Sequence, residues 1–587
     1  MYQHAGKDSQ STSSTYTAED DKPTAYASDF VCEDCLSTDN SNEKSIDHAA
    51  GKDLFHVERR DVFPGITRFG SMRHHARSAD TMQPILLDEV DSEDINEADS
   101  EDILDEEKAK PSPPAAVGFW HAGLAHTRKE VFFRYIQTLF ILCIAIMGIL
   151  AIYWGVLYDV KDKLHTAHVA VVSFEGTPGP YESYTPLIGP FVREACQQEM
   201  DSHYDHLGFV FVDPSEFDND PIRARLAVYD EQYWAAIIIH ANATALLTEA
   251  VLTGNTSYDP FGAAQIIYNQ ARDIESYNFY VVPVLSSLAL RITSTFSTQW
   301  AQSVFNNDTF DVATYSRVPQ AVSPGISFTL LNLRPFDPPT AIPTITIGLI
   351  YLIIIAFFSF TFFIPTHMKF ILPNPLSPHP PLKFSQLIIY RWCATITAYF
   401  FLSLSYSLVS LAFQIPFSHT PPPIPSPLND GNGHWTPTEP ITNANYLGHA
   451  TFFVYFLLNF VGMAALGLTC ENAAMFLSAM SPLPFSALFL IFWVITNVST
   501  GFYAIELASD FYKWGYAWPL RHIVEGSKTL VFGTKSRLGL NFGVLLAWVV
   551  VGSCLFPFAC WVMRWKSVKD RRKAAELAAK VAEMKKD

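Results

Sequence analysis

YIQTLFILCIAIMGILAIYWGVLY, residues 135–158, runs for 24 positions without an Asp, Glu, Lys or Arg. A helix needs about 20 apolar residues to cross a hydrocarbon layer of roughly 30 Å. In lipid, a run of this kind satisfies its backbone polar groups only by becoming helical. With its flank, this block predicts a first span at 131–158. Comparable uncharged runs predict spans at 343–366, 387–413, 447–470, 485–507 and 538–563. The expected fold class is a polytopic α-helical membrane protein with six transmembrane helices. Its layout is one span, a long mixed-polarity stretch, then five spans.

Whole-chain averages hide this organisation. Mean hydropathy is +0.13 over the 587 residues, and the net charge of -18 would suit an acidic soluble protein. The acidity is local: LDEVDSEDINEADSEDILDEE, residues 87–107, holds 12 carboxylates and no Lys or Arg. Such a run repels itself and has little apolar surface to bury, so residues 1–118 are expected to form a disordered acidic cytosolic tail. The first twenty residues have no apolar core, so the first span is expected to serve as its own uncleaved insertion signal.

Basic residues set the expected orientation. Arg128, Lys129 and Arg134 flank the first span, and Arg564, Lys566, Lys569, Arg571, Arg572 and Lys573 follow the last. The positive-inside bias places both termini in the cytosol, which requires an even number of spans. Lys513, Arg521, Lys528, Lys535 and Arg537 strain this rule, because the same topology places them outside. Asp510, Glu506 and Glu525 offset them only in part. Asn242, Asn255 and Asn307 each begin an N-x-S/T acceptor between the first and second spans, which favours an extracellular or lumenal domain at 161–340. Asn497 also begins one, but inside a predicted span, where it is discounted.

That domain reads as α/β. HVAVVSF (168–174), FVFV (209–212) and YWAAIIIH (233–240) have the β-branched and aromatic character of strands. Helical patterns are read at 243–252, 263–273 and 284–305, giving strands alternating with helices. No P-loop, HExxH or GxSxG motif occurs, so no enzymatic activity, catalytic residue, cofactor or metal ligand is assigned. Cys32 and Cys35 form a lone CxxC, which falls short of a zinc set.

The polar residues at span ends are the remaining candidates. Arg391 opens the third span, Glu471 closes the fourth and Glu506 closes the fifth. Ionisable groups inside a bilayer are costly and often functional, but edge positions favour a headgroup-level role. A Pro-rich outer loop is expected at 414–446. The stretch ASDFYKWGYAWPLRHIVEGSKTLVFGTKSR (508–537) interleaves Trp514, Tyr516 and Trp518 with Lys513 and Arg521. It is expected to be an outer amphipathic or re-entrant element at the headgroup boundary, bent at Pro519, with its second half, 523–530, packed against the spans and its aromatic residues carrying function. Residues 564–587 predict a basic cytosolic helical tail that draws anionic lipid.

FYKWGYAWPLRHIVEGSKTLVFGTKSRLG (511–539) closely resembles the signature of the fungal nitrosoguanidine-resistance protein family, a domain-of-unknown-function family. YWAAIIIHANAT (233–244), GNTSYDP (254–260) and IIYNQARD (266–273) add to the resemblance, which spans about 119–565. That family looks like a distant relative of phage-infection proteins and of type-2 ABC exporter membrane domains, to whose outer-domain start VAVVSFEG (169–176) is similar. The resemblance implies a plasma-membrane protein that supports resistance to drugs or mutagens by export or lipid redistribution. It also implies a homodimer driven by a separate ATPase or an ion gradient. The alternative is a non-transporting scaffold or regulator of pumps or lipid asymmetry. The lipid bilayer is an expected partner; nucleic acid is not.

Overall fold

The computed structural model describes residues 116–158, 160–202, 205–370, 382–417, 424–429, 435–438, 447–480 and 485–584. Cys32, Cys35 and nearly all of the acidic tail lie outside these residues, as does much of the Pro-rich loop. Two strands of that loop, Ile424–Asn429 and Trp435–Thr438, pair antiparallel.

Helix α1 (Ala125–Leu157) is followed by a five-stranded sheet. Its strands are β1 (His168–Ser173), β2 (Gly208–Phe211), β3 (Ala235–Ile239), β4 (Ala264–Tyr268) and β5 (Phe328–Asn332), in the order β2-β1-β3-β4-β5. All neighbours pair in parallel except β3 with β4. Alternate side chains divide between two faces. Val169, Val171, Ile237 and Ile266 pack under α2 (Ile188–Ser202), α4 (Ala243–Thr253) and α5 (Val282–Phe305). Ala170, Val172, Ile238 and Ile267 pack against α3 (Pro221–Tyr229).

The stretch 263–273, expected to be helical, contains strand β4 and a short turn. Both faces of β4 are buried, so it shows no polar alternation, and its short apolar run is open to either reading by period alone. The pairing with β3 and β5 decides in favour of strand.

The face under α3 also holds His240, which is 2% exposed, beside Arg225 and Gln265. Arg225 donates to Gln265 Oε1 at 3.2 Å, while neither ring nitrogen of His240 has a partner among the described residues. Burial, helped by the Arg225 charge, pushes the imidazole from the usual 6.5 down to about 3. The unfolded chain therefore takes up this proton long before the folded one does. Stability should fall as pH drops below 6.5, by up to about 1.4 kcal/mol per pH unit from this group. Thermal melts across that range should show a shallower slope for His240→Leu; an unchanged slope would remove His240 as the source.

Beyond the sheet come α6 (Ile347–Met368), α7 (Phe384–Ala412), α8 (Thr451–Met480), α9 (Phe485–Gly501), α10 (Pro519–Phe532) and α11 (Leu538–Met584). Helix α8 is the hub, packing against α6, α7, α9, α10 and α11. Its small residues allow close approach. A Cβ at Gly467 would lie 2.5 Å from the Tyr399 ring of α7 and 2.8 Å from the Ala356 Cβ of α6. One at Gly462 would lie 2.5 Å from Ile523 of α10.

Three boundaries differ from expectation. Helix α8 runs through Glu471 and Asn472 to Met480, because both polar side chains have partners inside the bundle. Helix α9 ends at Gly501 after 17 residues, a rise of about 25 Å. Helix α11 continues for 47 residues, joining the last span and the basic tail in one helix. Among the described residues, six helices are long and apolar enough to cross a membrane, and they include Ile274–Phe305 but not α9. Ile274–Phe305 was not among the expected spans, and its Leu285, Ile292, Phe296 and Trp300 pack into the sheet core.

Candidate functional site

Helix α10 lies between the sheet and the apolar helices. Pro519 occupies its first turn, where proline's fixed φ and missing N–H are tolerated. It therefore starts the helix and does not bend it. Asn497 Oδ1 of α9 accepts from Leu520 N at 3.1 Å, capping the helix. Gly533 ends it at φ +68, in the left-handed region that glycine adopts without strain. Every residue from Pro519 to Phe532 is buried except the half-buried Glu525. Leu520, Ile523, Val524 and Leu530 share a core with Leu458, Met463 and Leu545. The packing of 523–530 against the spans is as expected; the difference is that the burial begins at Pro519, so the whole helix is internal.

The preceding turn, Asp510–Ala517, brings the named aromatic residues together. Trp518 lies 4.8 Å from Trp514, 5.8 Å from Trp493 and 5.7 Å from Trp548, ring centre to ring centre. Its Nε1 donates to Thr496 Oγ1 at 3.2 Å. Trp514 is half-buried, and only Tyr516 is largely open, with the Arg521 guanidinium 4.9 Å from its ring. Arg521 pairs with Glu525 at 2.9 Å and lies 3.9 Å from Glu506.

The far side of α10 holds the sheet. Lys528 Nζ donates to the Arg272 carbonyl at 2.8 Å, and Lys535 Nζ to that of Asp230 at 2.6 Å. Arg537 pairs with Glu231 at 2.9 Å, and Arg334 donates back to the Gly533 carbonyl at 3.0 Å. Burial lowers the pKa of Lys528, opposed by Asp273 and Glu525. Three cations of the basic cluster are thereby bound, two by backbone carbonyls and one by a carboxylate, all in the connections around the sheet. The cavity left among these groups is about 60 Å³, room for water and far below a ligand pocket. This junction is a latch.

A second polar cluster lies within the bundle. Arg391 of α7 pairs with Glu471 of α8, and both side chains are at most 2% exposed. Thr395 Oγ1 donates to the other carboxylate oxygen at 3.0 Å. The guanidinium also approaches the sulfurs of Met475 and Met563 at 3.6 and 3.7 Å and faces Phe360 and Phe556. Arg391 is about 10 Å along its helix from the start. The headgroup-level reading of Arg391 and Glu471 is thus corrected: they form a buried pair tying α6, α7, α8 and α11. The one-dimensional pattern places each residue near an edge but cannot show that they meet.

The sheet has its own crevice. The order β2-β1-β3 makes a topological switch point between β1 and β3, where doubly wound sheets bind ligands. Glu175 occupies it, accepting from Gly189 N at 2.6 Å and from Thr244 N at 3.1 Å, and pairing with the Thr244 hydroxyl. Burial raises its pKa, and these donors oppose the rise. The chain supplies its own anion to the N-termini of α2 and α4. Among the described residues, no three His, Cys, Asp or Glu converge as a metal set.

Helices of this number and apolarity, packed around a glycine-bearing hub, define a multi-pass helical membrane protein. The chain belongs to the family described as protein of unknown function (DUF3533), which matches residues 138–554. It is similar to an uncharacterized endoplasmic reticulum membrane protein of Saccharomyces cerevisiae, at 24% identity over 484 residues, covering 80% of this chain and 87% of that protein. No solved structure matches.

Proposed function

We propose that the protein is the membrane component of an export or lipid-redistribution assembly, in which the sheet and the apolar helices move as one coupled body. The latch carries this reading. Lys528, Lys535, Arg537 and Arg334 fasten α10 and the segment just after it to the connections around the sheet, while the helix is also packed among α8, α9 and α11. Beside the chain connections from α1 and into α6, α10 is a direct route by which a displacement of one part reaches the other. In this reading α1, α6, α7, α8, α9 and α11 are the spans, both termini are cytosolic, and 161–340 faces the lumen or the exterior. A homodimer would enclose the substrate path, and a separate ATPase or an ion gradient would supply energy. Resistance to drugs or mutagens would follow from export. The yeast relative's description as an endoplasmic reticulum protein makes that membrane the first place to look, ahead of the plasma membrane.

The rival reading is a non-transporting scaffold or regulator of pumps. The self-filled crevice at Glu175 and the small junction cavity favour it, since neither has room for cargo. Purified protein in liposomes with a fluorescent lipid or drug separates the two. Flux above that of empty liposomes supports transport, and its absence leaves the scaffold.

The placement of 161–340 has its own test. Asn255 and Asn307 are exposed, whereas Asn242 is 5% exposed at the start of α4. Asn255→Gln and Asn307→Gln should each lower the apparent mass by one glycan, and Asn242→Gln should leave it unchanged. A mass unmoved by all three would argue against a lumenal domain.

A further inference from the structure

Helix α11 carries a second feature, unrelated to the latch, where its apolar run ends at Met563. Trp561, Arg564, Trp565, Val568, Lys569 and Arg572 recur at intervals of three and four, which places them on one face of the helix. This stripe and Phe384, the first residue of α7, line a groove of about 570 Å³. That volume falls within the range of about 300–1,000 Å³ typical of ligand pockets.

The groove is graded along its length of about 16 Å. Trp561 and Phe384 lie at the membrane end, and Lys569 and Arg572 lie beyond it. The Arg564 guanidinium lies 5.5 Å from the Phe384 ring, and the Lys569 ammonium 4.7 Å from the Trp565 ring. Among the described residues, no carboxylate pairs with Arg564, Lys569 or Arg572; Asp570 is engaged by Lys566 at 3.5 Å. Trp561 and Trp565 remain 53% and 52% exposed, apolar surface left uncovered beside unpaired cations.

We infer that this groove is a binding site for an anionic phospholipid. The headgroup phosphate lies against Arg564, Lys569 and Arg572, and the first part of the acyl chains lies along Trp561, Trp565 and Phe384. A soluble anion would satisfy the cations but leave the tryptophans exposed. A zwitterionic lipid would cover the tryptophans but neutralise less charge. An anionic amphiphile at a membrane surface matches both halves.

The test is native mass spectrometry of the full-length protein released from detergent after incubation with dioleoyl phosphatidic acid or dioleoyl phosphatidylcholine. The wild type should retain phosphatidic acid in preference. The triple variant Arg564→Gln, Lys569→Gln, Arg572→Gln should lose at least about fivefold of that retention. A control with the same charge change off the groove, Lys566→Gln, Arg571→Gln, Lys573→Gln, should keep it. Equal loss in both variants would mean diffuse attraction and would overturn the site. Displacement of phosphatidic acid by millimolar inorganic phosphate would overturn the lipid as occupant. Melting temperatures of both variants close to wild type would exclude misfolding as the cause.

Discussion

Glu471→Ala alone, or Arg391→Met alone, should lower the melting temperature sharply, whereas Arg391→Met combined with Glu471→Leu should restore much of it. Removing one partner leaves the other as an uncompensated charge in a low-dielectric interior, at a cost of about 3–5 kcal/mol. Domain stabilities are typically about 5–15 kcal/mol, so either single change takes a large share. Replacing both by apolar groups of similar volume removes the orphan charge, and such exchanges are often neutral or better. Met475, Met563, Phe360 and Phe556 already surround Arg391 and would accept an apolar neighbour. Fluorescence-detected size exclusion after graded heating measures this directly. Single variants that melt like wild type, or a double no better than either single, would refute it. A double that folds but loses activity would assign the pair a functional role beyond packing.

The second large effect is expected at Trp518. Trp518→Ala should lower abundance and activity together, by destabilising the protein by about 3 kcal/mol, the low end for a buried aromatic because this one is half-buried. Its ring meets Trp514, Trp493 and Trp548, and its indole N–H bonds Thr496. That outcome would run against the expectation that the aromatic residues set function more than stability. Tyr516, at 47% exposure, should tolerate alanine far better. Surface or organelle abundance and activity assayed in the same cells would show the coupling. Normal abundance with lost activity for Trp518→Ala would return the residue to a direct functional role.

The two expectations share a cause. Arg391, Glu471 and Trp518 were all legible as unusual, each a polar or amphipathic residue at the edge of an apolar run. What the one-dimensional pattern lacks is the partner. Arg391 meets Glu471 across 80 positions, and Trp518 meets Trp548 across 30. Lys528, Lys535 and Arg537 registered only as a strain on the charge rule, and their partners Arg272, Asp230 and Glu231 lie 256 to 306 positions away in the chain.

By itself, the sequence determined that this is a multi-pass helical membrane chain with an interval long enough for an inserted domain. It also located the first three strands and the apolar helices α1, α6, α7, α8 and α11, though not all of their ends. Length, apolarity and the need to satisfy every backbone amide in lipid act locally, so a linear window records them. Tertiary structure alone decided that 263–273 holds a strand, that α8 runs past Glu471, and that α9 stops at Gly501. It also decided that the burial of α10 begins at Pro519 and that Arg391 and Glu471 are one buried pair. Each of those outcomes depends on a partner distant in sequence: a strand to pair with, a charge to neutralise, or an apolar face to cover. Burial and ion pairing reward contacts in space, and a linear pattern records only the residues that seek them.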